Sequence, residues 1–309
     1  MTLEDKIRQA EASLFETARL DVDTTLVDLR RTGSRVRVLG FGHGQPVLVL
    51  HGVTQSAAVW TPLASELTGY RLHAVDLPGH GLSGPTAYRR GEVRRHTVDL
   101  LDDLFEALGL GTAPVVAHSL GGMFALWHAA ARPGPTASLV VLGDPAVAFP
   151  GVRVRMPLSP MTVPVLGPLM LRSPSPRSMY RRLLAQGLGG HGVEAVPDEL
   201  LDALRFAVRR PGNARTVGAL MHAINGFRLP RPESPMSPDE LGRVATPTLF
   251  VWGNDDPYLS PEGGRPSIDR MPSAGLLEVP GGHAPWLEDA AGTAKAVARH
   301  LADTGFAPG

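Results

Sequence analysis

The stretch VVAHSLGGMFALWHAAA, residues 115–131, constrains this chain more than any other. Before Ser119 it is a short β-branched run. After Gly122 it carries Phe124, Leu126, Trp127 and several alanines, and reads as a helix. A strand that becomes a helix across a few small residues is the join of an α/β unit. At that join sits one serine, with Ala117, Gly121 and Gly122 around it. Side chains crowd so tight a corner, so small residues are needed on either side. The corner lifts the hydroxyl above the carboxyl ends of the strands, where ligands bind in open α/β sheets. It also sets Ser119 at a helix N-terminus, where free N–H groups and the dipole favour negative charge. The simpler reading is a helix N-cap, a position that serine favours.

The alternation continues on both sides of the corner. Residues 24–31 and 35–41 read as strands, and GHGQP as a turn. PVLVLHG (46–52) is a nearly all-apolar run of the kind buried on both faces of a sheet. Residues 59–67 look helical, RLHAVDLPGHG is a strand ending at Asp76 with a turn after it, and 92–108 has helical spacing closed by Gly109 and Gly111. Residues 137–144 form another buried-type strand. The pattern then pauses over 146–241, which is rich in Pro, Arg, Met and Leu and has no good strand, although 198–210 reads as a helix. It resumes with PTLFVWG (247–253), a helix over 261–271, GLLEVPGG, and a last helix over 285–301. This predicts an α/β fold with a mostly parallel central sheet flanked by helices. Residues 1–145 and 242–309 would form the core, and 146–241 a helical cap inserted in it.

The 309 residues carry 30 basic and 30 acidic side chains, a balance that argues against nucleic-acid binding. There is no cysteine, so disulfides and thiolate chemistry are excluded. The N-terminal segment is charged and patterned like an amphipathic helix, unlike a secretory leader. No run of about 18 apolar residues offers a membrane span. The nearest candidate, MPLSPMTVPVLGPLMLRSP from Met156, holds five prolines and cannot be one straight helix. A soluble, cytoplasmic protein is expected. No H-E-x-x-H motif and no G-x-G-x-x-G after a strand occurs, so neither metal nor dinucleotide is expected.

The corner AHSLGG resembles the nucleophile elbow G-x-S-x-G of the α/β-hydrolase family, with Ala117 in place of the first glycine. Four further pieces resemble the same family in the order it uses. They are LHGVTQSAAVW, DLPGHGLS, VWGNDDPYLS and PGGHAPWLED. The resemblance covers residues 24–144 and 245–303. It implies Ser119 as nucleophile, His283 as general base and Asp256 as the acid that orients it. The family spacing of a glycine, two residues and the acid selects Asp256 over Asp255. Asp144, at the end of an earlier strand, is a second rival. The backbone N–H groups of Val53 and Leu120 would form the oxyanion hole.

His51 and His118 flank these loops and read as structural or pocket-lining. Trp60 and Trp286 would line the pocket or simply pack. The apolar residues of 156–171 suggest a wall over the site. The implied activity is a cofactor-independent serine hydrolase acting on a small or medium hydrophobic carboxylic ester. Thioester or carbon–carbon bond hydrolysis, and perhydrolysis, would use the same residues. A non-hydrolytic ligand-binding member of the fold and a lipid-surface enzyme are the other readings.

Overall fold

The computed structural model describes residues 1–309 except 190, 191 and 195. Eight strands form one sheet: β1 (Val22–Asp28), β2 (Arg35–Phe41), β3 (Gln45–Leu50), β4 (Tyr70–Val75), β5 (Ala113–His118), β6 (Thr136–Leu142), β7 (Thr248–Gly253) and β8 (Ala274–Val279). Their order is β1-β2-β4-β3-β5-β6-β7-β8. β2 pairs antiparallel with both β1 and β4, and every pairing from β4 to β8 is parallel.

The central strands are apolar at nearly every position because both sheet faces are covered. The pleat sorts them by parity. Leu48 and Leu50 of β3 and Val115 and Ala117 of β5 join the core that receives the Val93–Ala107 and Leu120–Ala131 helices. Val47, Val49 and Val116 face the opposite core, built with the Thr61–Glu66 and Ala290–Asp303 helices.

The first helix, Leu3–Thr17, starts with a capping box between Thr2 and Asp5. Its buried Glu11 receives both terminal nitrogens of Arg37 at 2.6 and 2.7 Å, and Arg37 also donates to Asp76 at 2.7 Å. This buried charge triad pins the helix to β2 and β4. Asp76 accepts further bonds from the Ala57 and Leu82 N–H groups, and so also holds the loops after β3 and β4.

Several expected elements differ, two of them for reasons visible in their hydrogen bonds. The first strand covers residues 22–28 rather than 24–31. Leu29 N–H donates to the Ser34 carbonyl, and Asp103 accepts from the N–H groups of Arg31 and Thr32, which turns the chain there. The last helix is two helices, Pro285–Glu288 and Ala290–Asp303. Asp289 adopts a non-helical conformation between them and caps the second by accepting from Gly292 N–H.

Between β6 and β7 the described residues contain helices and short helical turns and no strand; the single β-bridge there joins Asn225 and Pro230. The longer helices are Arg177–Leu188, Asp198–Val208 and Pro211–Ile224. The expected 198–210 helix ends at Val208. Leu200, Leu201 and Leu204 pack on Leu14 of the first helix and on Ala58. No helix among the described residues is long and apolar enough to cross a membrane.

Candidate active site

Ser119 lies between β5 and the Leu120–Ala131 helix with φ +49° and ψ −111°. A non-glycine residue rarely holds such a conformation, and the packing around it explains why it persists. A Cβ on Gly121 would collide with the Leu50 carbonyl oxygen of β3. The helix therefore starts as close to the sheet as backbone allows. Ala117 is fully buried opposite Leu50 and Val141, so its methyl group is accommodated in the sheet. Ser119 makes no side-chain capping bond, so the simple N-cap role is not the one it plays.

His283 and Asp256 come from loops at the same end of the sheet. His283 Nδ1 lies 2.7 Å from Asp256 Oδ2, and both side chains are buried. The same Oδ2 accepts from Asp144 N–H at 3.0 Å, and Oδ1 accepts from Tyr258 N–H at 3.1 Å. With Nδ1–H donating to the carboxylate, the Nε2 lone pair is left available. Gly143, at φ +71°, permits this approach, because a Cβ there would strike the His283 carbonyl oxygen. His283 N–H donates to the Leu188 carbonyl at 2.5 Å, which ties its loop to the Arg177–Leu188 helix.

The rival acids occupy different surroundings. Asp255 is exposed and bonds through its backbone to Gly281. Asp144 is buried, and its Oδ1 has no hydrogen-bond partner among the described residues. Burial first, and then the neighbouring Asp256 charge, raise the Asp144 carboxyl well above the usual range. Of the two neighbouring carboxyls, Asp256 is the one that His283 Nδ1 meets. Asp144, Asp256 and His283 offer ligand-type atoms within 4.8 Å of one another, the one such group among the described residues. A cation there would have to displace the His283–Asp256 bond, so the donor set suits a hydrogen-bonded pair better than a metal.

The Val53 and Leu120 N–H groups donate to no backbone or side-chain acceptor among the described residues. The loop carrying Val53 is held from behind. Gln55 Oε1 accepts from Gly52 N–H at 2.8 Å and faces His118 Nδ1 at 3.0 Å. Thr54 takes φ +62° at the turn. His51 contacts the Gly52 carbonyl at 2.7 Å through Nδ1 and accepts from Leu77 N–H through Nε2. Desolvation by burial pushes the His51 imidazole down to about 4, which keeps it neutral in this two-sided role.

A cavity of about 380 Å³ opens over Ser119, His118 and His283. Its walls are mainly Met156, Leu158, Met161, Met170, Leu171 and Leu184, so residues of 156–171 do form the apolar wall their composition suggested. A second space of about 50 Å³ meets it at Val53, Ser119, Leu158 and Tyr258, and reaches Leu120, Asp144 and Asn225.

Of the four residues named as candidates for the pocket, His118 lines the larger space. His51, Trp60 and Trp286 line neither space. The two indoles stack at 4.7 Å, fully buried, and Trp286 Nε1–H donates to the Val59 carbonyl. Large rings gain more by mutual burial than by facing an open cavity. Sequence reading missed Tyr258 and Gln55. Tyr258 packs edge-on against His283 at 4.8 Å, and its signal was its place two residues after Asp256.

Residues 47–296 match the profile of the alpha/beta hydrolase family. A pimeloyl-[acyl-carrier protein] methyl ester esterase from Shewanella sp. is 28% identical over 251 residues, covering 80% of this chain and 86% of that protein. Lipase LipV from Mycobacterium tuberculosis is 44% identical over 109 residues, covering 35% of this chain and 40% of that lipase. Among solved structures, carboxylesterase CesB (YbfK) from Bacillus subtilis superposes with a TM-score of 0.74 at 18% identity, covering 97% of this chain and 99% of that one. That likeness is one of fold.

Proposed function

The chain belongs to the alpha/beta hydrolase family, and from that premise we propose that it is a serine hydrolase that cleaves hydrophobic carboxylic esters through an acyl-enzyme, without a cofactor. The 2.7 Å bond from His283 to Asp256, beside a cavity that also exposes the strained Ser119, carries this reading. His283 Nε2 takes the Ser119 proton as Oγ attacks the ester carbonyl. The oxygen, now negative, is met by the Val53 and Leu120 N–H groups. His283 then gives the proton to the leaving alcohol. A water deprotonated by His283 attacks the acyl-enzyme, and Ser119 Oγ leaves with the proton. Asp256 holds one imidazole tautomer and stabilises the imidazolium.

The two unequal spaces meeting at Ser119 favour an ester with one long apolar side and one small side. The larger space falls within the usual range for small-molecule sites, and the smaller has room for little more than one water-sized group. Residues 146–241 act as a cap that supplies the apolar wall. The methyl ester esterase among the relatives is consistent with a small alcohol.

Intact-mass analysis after fluorophosphonate treatment tests the nucleophile. One adduct on wild type and none on a folded Ser119→Ala variant is expected, together with loss of ester turnover. A Ser119→Ala protein that hydrolyses esters as wild type does would overturn the reading.

A further inference from the structure

One cation faces the large cavity without a counter-charge. Among the described residues lining it there is no Asp or Glu, and Arg209 is the one Arg or Lys. Arg209 follows the Asp198–Val208 helix directly, and its Nε is buried with no hydrogen-bond partner. Its neighbours behave differently. Arg205 pairs with Asp202 at 2.7 Å, Arg181 with Asp198 at 2.9 Å, and Arg210 with Glu4 at 2.5 Å. Arg210 also donates to the Gly81 and Ser83 carbonyls. These arginines are thus satisfied within the protein, while the Arg209 side chain, which lines the cavity, makes no hydrogen bond or ion pair among the described residues.

A guanidinium donor removed from water without an acceptor is costly, and the cost is recovered when a ligand supplies one. The planar fork of Arg fits the two oxygens of a carboxylate or phosphate, and apolar walls strengthen the pairing. Ser173 and Ser175 line the cavity as well, in a wall built mainly of Met, Leu and Pro on the side away from Ser119 and His283. We propose that Arg209 binds an oxyanion carried on the apolar chain away from the scissile ester, so that this hydrolase prefers substrates with an anionic far end. The inference deepens the ester-hydrolase reading of this site and names its substrate class.

The test compares straight-chain methyl esters that differ at the far end alone: methyl decanoate, its ω-carboxylate counterpart and its ω-phosphate counterpart. In wild type at low salt, kcat/KM for at least one anionic ester is expected to exceed that for the neutral ester by about tenfold or more. In Arg209→Gln the anionic-to-neutral ratio should fall about ten- to a hundredfold, mainly through KM, and Arg209→Lys should restore part of it. Whichever anionic ester shows the fall identifies carboxylate or phosphate as the group recognised. Equal kcat/KM for all three esters in wild type would overturn the proposal. So would a ratio unmoved in Arg209→Gln, the outcome expected if Arg209 merely supports the end of its helix.

Calorimetric binding of the same three compounds to Ser119→Ala reads the preference without turnover. Anion-selective binding that depends on Arg209, with no fluorophosphonate adduct on the wild-type protein, would sustain this inference and sink the hydrolase reading. Adduct formation and ester turnover without anion preference would do the reverse.

Discussion

At the scale of single residues, the site turns on two aspartates with opposite environments. Asp256 accepts three hydrogen bonds, one of them from His283, whereas the Asp144 carboxyl is buried and its Oδ1 is unpartnered. Asp256→Asn should therefore lower kcat by about 10³- to 10⁴-fold with the fold intact, as loss of an orienting carboxylate does elsewhere. Asp144→Asn should cost less than about tenfold, because the bond from residue 144 to Asp256 comes from its backbone. Steady-state kinetics of the two variants check this, and the reverse ranking would reassign the acid. Stability separates them too. With the Asp144 carboxyl raised in the fold, the native state holds that proton above the pH at which the unfolded chain releases it. Wild type then loses stability as pH rises above about 4, while an asparagine does not titrate. Urea denaturation should show Asp144→Asn gaining on wild type as pH rises from 4 to 7; a constant gap would mean that Asp144 ionises normally.

At the scale of elements, the corner works because β5 delivers Ser119 while the following helix starts against β3. Gly121→Ala places a methyl group against the Leu50 carbonyl oxygen. Strain of this kind costs about 1–3 kcal/mol, so a drop in thermal midpoint and in fluorophosphonate labelling rate is expected together. A midpoint equal to wild type would show that the corner can relax. The corner was readable from sequence because small residues at 117, 121 and 122 have few other uses between a strand and a helix. The β1 boundary and the break at Asp289 were not. One depends on Asp103, far away in the chain, and the other on a local cap that propensity alone does not distinguish from continuous helix.

At the scale of the whole molecule, neutral histidines inside the loop scaffold set its acid limit. Burial pushes His51 down to about 4 and His80 to about 3, and lowers His118 well below the usual value. Each contributes stability that is complete above about 6.5, where the unfolded imidazole is also neutral. That stability is lost as pH falls through the window between 6.5 and the folded values. The loss approaches about 3 kcal/mol for His51 at full effect. Stability should already decline between pH 6.5 and 5, before ordinary carboxylates titrate. Asp144 opposes the trend, so the Asp144→Asn background should show it most steeply. A flat urea midpoint over that interval would contradict it. The unequal spaces at Ser119 make a second prediction at this scale. For one long acyl chain, kcat/KM should fall at least about tenfold from methyl to tert-butyl ester. Equal rates would show that the small space does not hold the alcohol.

The succession of strands and helices along the chain, the corner at Ser119 and the candidates His283 and Asp256 were legible in the sequence alone. Apolar runs, turn glycines and motif spacing are local signals, and a parallel sheet converts their order into position. Local signals could not say which aromatic rings face the cavity. Trp60 and Trp286 stack on each other in the core, while Tyr258 and His118 flank His283. Nor could they separate Asp144 from Asp256, since the difference is a hydrogen bond and a degree of burial. Arg209 is one of several arginines in its segment by sequence. Only packing, by placing it in the lining of the cavity while Arg181, Arg205 and Arg210 pair elsewhere, made it different.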